Sequence, residues 1–222
     1  LDITYYNAKT MNQTFNPQLP VSGWSAMYIQ TGAVRNQGIE LSLGYKNTWN
    51  KFSWDTGFTF SMNRNKILTL GSDAINPITG ENFSIGTLNM GGLGEARFLL
   101  KEGGSMGDLY SFIDLKRDTN NKIYIDQAGK MTTETIKDPK KYIKLGSVLP
   151  KGNLAWRNNF SWNNFNAGFL VSARLGGVVF SRTQAMLDYY GVSEATAEAR
   201  DHGYVLVNGN DCVNPETWYG II

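Results

Sequence analysis

The chain has few side chains of the kinds that catalyse reactions or bind metals. It contains one histidine, His202, and one cysteine, Cys212. A zinc site of the usual kind needs several His or Cys ligands, and a nucleophilic thiol needs a nearby base that activates it. A single cysteine also excludes an intrachain disulfide. We therefore expect His202 and Cys212 to be ordinary loop residues, and the chain to hold no catalytic residue, no metal ligand and no cofactor.

One acidic segment superficially resembles a calcium loop. Asp118 is followed by a run of polar residues and then by Asp126. An EF-hand loop needs glycine at its sixth position and glutamate at its twelfth, but this segment has Ile123 and Gly129 there. A turn between two short strands is the better interpretation, and the sequence leaves open whether calcium binds at 118–126.

Aromatic side chains in predicted loops give the only binding signal. Aromatic faces stack on sugar rings and are frequent at protein interfaces. Ordinary packing within the loops is the alternative for each residue. The candidates for ligand or partner contact are Trp24, Tyr28, Tyr189, Tyr190, Trp218 and Tyr219.

The composition predicts an all-β protein. The 222 residues carry 21 Lys and Arg against 19 Asp and Glu, so the net charge is +2. This balance excludes a strongly basic nucleic-acid surface. Aromatic residues make up 13% of the chain and charged residues only 18%, with a mean hydropathy of −0.31. No apolar run approaches the roughly 20 residues of a membrane helix, which leaves a soluble β fold or a transmembrane barrel.

Strict alternation of apolar and polar residues marks the strands. In residues 51–63 the even positions are almost all large and apolar, whereas the odd positions are small or polar. Two hairpins are predicted from such alternation, over 39–62 with a turn at 47–50 and over 154–175 with a turn at 163–164. Weaker strands are predicted at 97–101 and 108–114. The one predicted helical stretch is 193–200, where Ser193 can cap the first turn.

The connections between these strands alternate in length. Short turns alternate with long segments, which we expect at roughly 8–32, 66–95, 117–149 and 181–222. Transmembrane barrels with up-and-down topology have short turns on one side and long loops on the other. The abrupt first and last segments suggest that the chain is cut from a longer protein.

Three observations favour a lipid-facing apolar surface over a buried one. The apolar faces run for five to six positions, which suits a tilted strand that crosses a bilayer. Aromatic residues crowd the short turns, as they do at membrane interfaces. The opposite faces carry charged residues that suit a water-filled lumen, namely Glu40, Asp55, Arg157 and Arg174. A soluble β-sandwich that binds carbohydrate is the alternative, and a secreted β-rich hydrolase is less favoured because no paired carboxylates or activated nucleophile are evident.

Several segments resemble the SusC-like (SusC/RagA) family of TonB-dependent outer-membrane transporters. Residues 31–41, Thr-Gly-Ala-Val-Arg-Asn-Gln-Gly-Ile-Glu-Leu, are similar to the family's N-x-G-x-V-x-N-x-G-I-E-L stretch. Residues 102–110 resemble its E-G-x-P-x-G-x-x-Y stretch, with Ser105 in place of proline. Residues 145–151 resemble its L-G-x-x-x-P-K segment, and 184–190 and 196–200 resemble the extracellular loop that follows.

The resemblance implies an antiparallel up-and-down transmembrane β-barrel segment, with roughly six to seven strands of a larger barrel and long loops. It implies that residues 1–222 are part of the barrel domain, without the plug domain, the N-terminal part or the final strands. It also implies a transporter rather than an enzyme, in the outer membrane of a Gram-negative bacterium. The implied partners are a SusD-like surface lipoprotein, TonB acting through parts absent here, outer-membrane lipid, and an oligosaccharide or peptide substrate.

Overall fold

The structure is a computed structural model that describes residues 1–15, 28–75, 80, 82–93 and 96–221. Antiparallel strands dominate it, which confirms the predicted all-β class. None of its helices is both long enough and apolar enough to cross a membrane. The strands are β1 Asp2–Phe15, β2 Ile29–Trp49, β3 Phe52–Thr69, β4 Gly71–Ile75, β5 Asn82–Ile85, β6 Thr87–Leu93, β7 Ala96–Lys101, β8 Asp108–Ser111, β9 Ile113–Leu115, β10 Thr133–Thr135, β11 Ile143–Ser147, β12 Gly152–Trp162, β13 Phe165–Leu175, β14 Val205–Val207 and β15 Asp211–Val213.

The helices are short and lie in the last part of the chain. They are α1 Arg182–Tyr189, α2 Glu194–His202 and α3 Pro215–Tyr219, and a 3-10 turn forms at Pro139–Lys141. The predicted helical stretch at 193–200 is confirmed as α2, because Ser193 is the N-cap and its side chain accepts a hydrogen bond from the backbone N–H of Thr196. Helices α1 and α3 were not predicted.

The largest sheet has five strands in the order β1-β2-β3-β12-β13. Neighbouring strands are antiparallel, and β12 joins β3 after the excursion of residues 70–151. The weaker predicted strands at 97–101 and 108–114 do not enter this sheet: β7 and β8 belong to a four-stranded sheet of order β11-β8-β7-β6. The expectation of six to seven strands in one wall was therefore too high for this chain.

The five-stranded sheet has two faces of opposite character, because directly opposed residues of antiparallel strands project to the same side. We call one side the apolar face. Its large side chains are Ile3, Tyr5, Ile39, Leu41, Leu43, Tyr45, Trp49, Phe52, Trp54, Phe58, Phe60, Met62, Leu154, Trp156, Phe160, Trp162, Phe165, Phe169, Val171 and Leu175. Many of them are exposed, for example Phe169 at 47% and Val171 at 51%.

The charged residues of the other side, which we call the polar face, are balanced in sign. They are Asp2, Glu40, Lys46, Asp55, Arg157 and Arg174. The residues between them are mostly Ser, Thr, Asn and Gly, with Leu170 as an exposed exception.

One polar residue, Asn158, interrupts the apolar face; its carboxamide oxygen is hydrogen-bonded there, whereas its carboxamide nitrogen is buried without a hydrogen-bond partner. Its side chain is only 1% exposed. The carboxamide oxygen accepts a hydrogen bond from the Trp54 indole N–H at 3.0 Å. The indole N–H of Trp156 likewise donates to the Thr56 hydroxyl at 3.0 Å. Two tryptophans therefore pair their polar atoms inside the sheet surface rather than with solvent.

Two short turns close the main hairpins at the same end of the sheet. Asn163 has φ 53°, and Trp162 pairs with Phe165, so the predicted 163–164 turn is confirmed. The first turn was predicted at 47–50 but consists of Asn50 and Lys51, since the strand pairing continues to Trp49 and Phe52. Asn50 has φ 53°, a left-handed conformation that asparagine tolerates better than most residues.

The long connections were also predicted too long. The expected 8–32 segment contains the end of β1 and the start of β2, which pair as far as Phe15 and Ile29. The 66–95 segment contains the end of β3 and strands β4–β6. His202 ends α2 and Cys212 lies in β15, so neither is the loop residue that was expected.

The chain divides into two compact units. The first consists of Leu1–Met90, Phe98–Leu109 and Gly146–Val178, and the second of Gly91–Arg97, Tyr110–Leu145 and Val179–Ile222. The first unit has a core cluster beside the end of the β2–β3 hairpin that is far from its turn, formed by Val34, Ile67, Leu70, Leu88 and Leu100.

The second unit is built around a smaller cluster of Met131, Val207 and Val213. Beside it, the 118–126 segment forms the predicted turns. One Asp118 carboxylate oxygen accepts from the backbone N–H groups of Asn120 and Lys122 at 2.8 and 2.9 Å. Asp126 repeats this pattern at Ala128 and Lys130. No group of three or more potential metal ligands occurs among the described residues.

Candidate functional site

A groove of about 510 Å³ crosses the polar face of the five-stranded sheet. Its polar lining comes from two adjacent cross-strand rows to which every strand contributes. One row is Asp2, Ser42, Thr59, Ala155 and Ser172, and the next is Thr4, Glu40, Ser61, Asn153 and Arg174. The strand register alone therefore places these side chains side by side.

The charged groups of the groove sit towards its two edges. Asp2 belongs to β1 and Arg174 to β13, at opposite edges of the sheet. The Arg174 guanidinium donates to the backbone carbonyl of Val148 at 2.7 Å, which holds it in place. Glu40 lies opposite Ser61, nearer the β1 edge.

A second cluster of charged residues on the polar face lies closer to the short turns. Arg157 donates to an Asp55 carboxylate oxygen at 3.0 Å, and Lys46 lies opposite Asp55 on the neighbouring strand. Gly57 lies directly opposite Arg157, and a Cβ there would make only an ordinary van der Waals contact with the guanidinium, at 3.7 Å. Both charged side chains remain partly exposed, so the pair is screened by water.

This arrangement suits reversible contact with polar, uncharged groups. Hydroxyls, amides and a few charges of both signs line the groove, and they can donate to and accept from a hydrated ligand. The sequence predicted Glu40, Asp55, Arg157 and Arg174 for this side, and the structure places all four on the polar face. It adds Asp2, Ser42, Thr59, Ser61, Asn153 and Ser172, which the same alternation could have identified.

The predicted aromatic contact residues do not form one site. Trp24 lies outside the described residues, and Tyr28 is 78% exposed just before β2. Trp218 is half-buried and packs against the core cluster of the second unit.

Three of the predicted aromatics do meet, in a second cavity within the second unit. Tyr189, Tyr190 and Tyr219 line a cavity of about 510 Å³ together with Arg200 and Glu216. The rings of Tyr189 and Tyr190 are 5.2 Å apart at 88°. Their role as ligand or partner contacts stays a prediction.

The three clearest motif segments of the family resemblance converge at the end of β3. The Asn65 carboxamide oxygen accepts from the Met106 backbone N–H at 2.8 Å, and its nitrogen donates to Asn36 at 2.9 Å. This joins segment 102–109 to segment 31–41. The Val148 backbone N–H donates to the Gly107 carbonyl at 2.9 Å, which brings in segment 146–151.

Comparison with known proteins supports the same relationship. The chain is 25% identical over 217 residues to TonB-dependent receptor P3 of Formosa agariphila, covering 89% of this chain and 20% of that protein. It is 24% identical over 196 residues to TonB-dependent receptor P26 of the same organism, covering 81% and 19%. No protein-family model matches the chain.

A solved structure of the RagAB peptide transporter has the same fold over this region. It superimposes with a TM-score of 0.58 at 16% identity, covering 84% of this chain and 20% of the transporter chain. The chain spans about one fifth of the length of the curated relatives it matches. The resemblance to SusC-like TonB-dependent receptors that the motifs indicated is therefore confirmed: the chain is similar to these receptors over most of its own length.

Proposed function

We propose that this chain forms part of the wall of a transmembrane β-barrel, in which the apolar face contacts lipid and the polar face lines the transport path. The barrel belongs to a TonB-dependent importer in the outer membrane of a Gram-negative bacterium. Its cargo is an oligosaccharide or a peptide. A SusD-like lipoprotein at the cell surface delivers the cargo, and TonB supplies energy through parts of the receptor outside this chain. The chain is a transport component and not an enzyme.

The observation that carries this proposal is the height of the apolar face. From Ile39 to Trp49 the strand advances ten residues, or about 33 Å at 3.3 Å per residue. A strand tilt of about 40° reduces this to about 25 Å, which is the height of the apolar band on outer-membrane barrels. Strands β12 and β13, with 11 residues each, match the length needed to cross a bilayer.

The strand order supports the proposal as well. A meander of long antiparallel strands with two-residue turns at one end is the arrangement of barrel walls. Among the described strands, none pairs with the outer edge of β1 or of β13, and further strands of a closed barrel would cover these edges. The polar groove crosses all five strands on the side that faces the lumen in this arrangement.

The alternative, a soluble β-sandwich that binds carbohydrate, needs a second sheet packed on the apolar face. Within the described part of the chain, large side chains of that face such as Trp162 and Phe165 are 64% and 76% exposed. Exposed apolar surface of this extent makes a soluble domain aggregate.

Spin labels at Phe58 and Asp55 of the full-length gene product test the lipid-facing assignment. In lipid vesicles the label at Phe58 should be reached by oxygen and the label at Asp55 by a water-soluble relaxation agent. Equal access of the water-soluble agent to both positions contradicts the proposed wall.

Transport itself is tested by deleting the gene. The deletion strain should lose growth on at least one glycan or peptide mixture from a panel of sole nutrients, and a strain without TonB should show the same loss. A cysteine at position 188 should react with a membrane-impermeant label on intact cells, because β13 runs away from the short turns and segment 181–222 follows its far end in the chain. Unchanged growth on the whole panel contradicts the import role, and labelling only after permeabilisation reverses the topology.

A further inference from the structure

The apolar face ends abruptly at the end of the sheet that is far from the short turns. Its last apolar row joins Tyr5, Ile39 and Met62 across three strands. The next two rows hold four basic side chains, Lys9, Arg35, Arg64 and Lys66. Lys9, Arg35 and Lys66 lie directly opposite one another in a single row, and Arg64 lies in the row between them and the apolar band.

These four residues are the only charged residues on this side of the five described strands. No Asp or Glu lies on it, because Asp2, Glu40 and Asp55 all belong to the polar face. Opposed side chains in antiparallel strands have their Cβ atoms about 5 Å apart, and like charges at that spacing repel. The row is therefore destabilising unless an anion neutralises it.

Nothing in the described part of the chain neutralises the row. None of the four side chains forms an ion pair there. Lys9, Arg64 and Lys66 are exposed, and Arg35 is half-buried with its Nε atom buried and without a hydrogen-bond partner. The cluster thus presents donors and positive charge to whatever lies beside the apolar band.

We propose that this basic cluster binds the phosphate groups of lipid headgroups in the leaflet on the side opposite the short turns. The proposal rests on the proposed membrane-spanning role, because it takes the apolar face as the lipid contact. In the topology proposed above, this leaflet is the outer one. Arginine binds phosphate through paired N–H groups and lysine binds it as a point charge, so both residue types suit the ligand.

The position of the cluster along the membrane normal matches the layer of lipid headgroups. Arg64 and Lys66 lie two and four residues beyond Met62, or about 5 and 10 Å higher along the membrane normal at the tilt used above. The headgroup layer begins at the edge of the hydrocarbon core and is about 5–8 Å thick on each side. The basic side chains therefore start in that layer and reach its outer surface.

The turn end of the sheet lacks a comparable cluster in the described residues. There the apolar face ends in Trp49, Phe52, Trp162 and Phe165, and the nearest basic residue is Lys51 in the turn itself. The two ends of the band thus differ, with aromatic side chains at one and positive charge at the other. This difference predicts headgroup binding in one leaflet only.

Lipid A titrated into the full-length gene product in neutral detergent micelles tests the proposal, with bound lipid counted by native mass spectrometry. The triple variant Lys9→Gln, Arg64→Gln and Lys66→Gln removes the exposed charges. Each basic residue near an anionic lipid surface is worth about fivefold in affinity, so the triple variant should bind lipid A roughly 100-fold more weakly. The single variant Lys66→Gln should lose about fivefold, and it decides the matter if the triple variant does not fold.

A matched triple variant, Lys122→Gln, Lys130→Gln and Lys137→Gln, removes the same charge from exposed positions outside the sheet and should bind like the wild type. Inorganic phosphate should not compete at millimolar concentration. Unchanged lipid A binding in the first triple variant, or equal binding of inorganic phosphate, overturns the headgroup site. If the protein inserts in vesicles and the Phe58 label is lipid-exposed, such a result leaves the proposed wall intact. A water-exposed label at Phe58 contradicts both.

Discussion

Replacing Phe58 with arginine should destabilise the membrane-inserted protein by about 2–4 kcal/mol relative to Phe58→Ala, because arginine at the midplane of a barrel's lipid face costs that much. Phe58 lies opposite Leu43 and Trp156, well inside the apolar band that runs from Phe52 to Met62. Alanine is the reference because it removes the aromatic ring without adding a charge.

Two matched positions separate membrane depth from general damage. Phe52 starts the same strand beside the turn, so Phe52→Arg should cost only about 0–1 kcal/mol relative to alanine near the interface. Thr59 is the neighbour of Phe58 but projects into the groove on the polar face. Thr59→Arg should therefore change the free energy of unfolding by about 0.5 kcal/mol or less.

Urea-dependent unfolding of the full-length gene product in phosphatidylcholine vesicles measures these differences, with tryptophan emission as the signal. The linear dependence of unfolding free energy on urea supplies each value. Equal costs at Phe58 and Thr59, or a larger cost at Phe52 than at Phe58, would show that the apolar face does not contact the hydrocarbon core.

Three further changes test individual contacts. Asn158→Leu should lower the free energy of unfolding by about 1–3 kcal/mol, because it leaves the Trp54 indole N–H unpaired. In a double-mutant cycle, Trp54→Phe combined with Asn158→Leu should lower this free energy by less than the sum of the two single changes. Asn163→Ala should cost about 1–2 kcal/mol because φ is 53° there, whereas Asn163→Gly should be close to neutral in the same unfolding assay. Asp55→Asn should cost less than about 1 kcal/mol, and the difference from wild type should shrink at high salt, since the Arg157 pair is partly exposed; a salt-independent loss contradicts this account.

The hairpins could be predicted from the sequence because each one is specified by the residue pattern of adjacent segments of the chain. Alternation over 51–63 fixes which side chains share a face, and a shift of one residue would exchange the faces entirely. The first turn was misplaced because Asn47 and Thr48 are polar and look like turn residues. In the structure they pair with Trp54 and Ser53, and the Asn47 side chain donates to the Tyr45 hydroxyl, so both belong to the strand.

Pairing between β3 and β12 could not be predicted from the sequence alone. The ten residue pairs from Phe52 to Ser61 join segments separated by the 70–151 excursion, and no local pattern specifies such a partner. The same holds for the groove, since Asp2 and Arg174 become edges of one surface only when all five strands align. The alternation in the sequence predicts which face of the sheet each side chain occupies. The register between paired strands determines which side chains of other strands lie beside it.

Several residues that carry the family resemblance shape the backbone, although Glu40 of segment 31–41 also lines the groove. Gly38 allows the Tyr6 ring to lie over it, since a Cβ there would come within 2.5 Å of the Tyr6 hydroxyl. Gly107 lies against Leu149 in the same way, and Glu102 accepts from the Leu70 backbone N–H at 3.0 Å. Such contacts identify the architecture without specifying what is transported. In the proposed wall the two polar rows of the groove face the transport path, so selectivity should depend on these side chains, which can change without disturbing the strands that hold them.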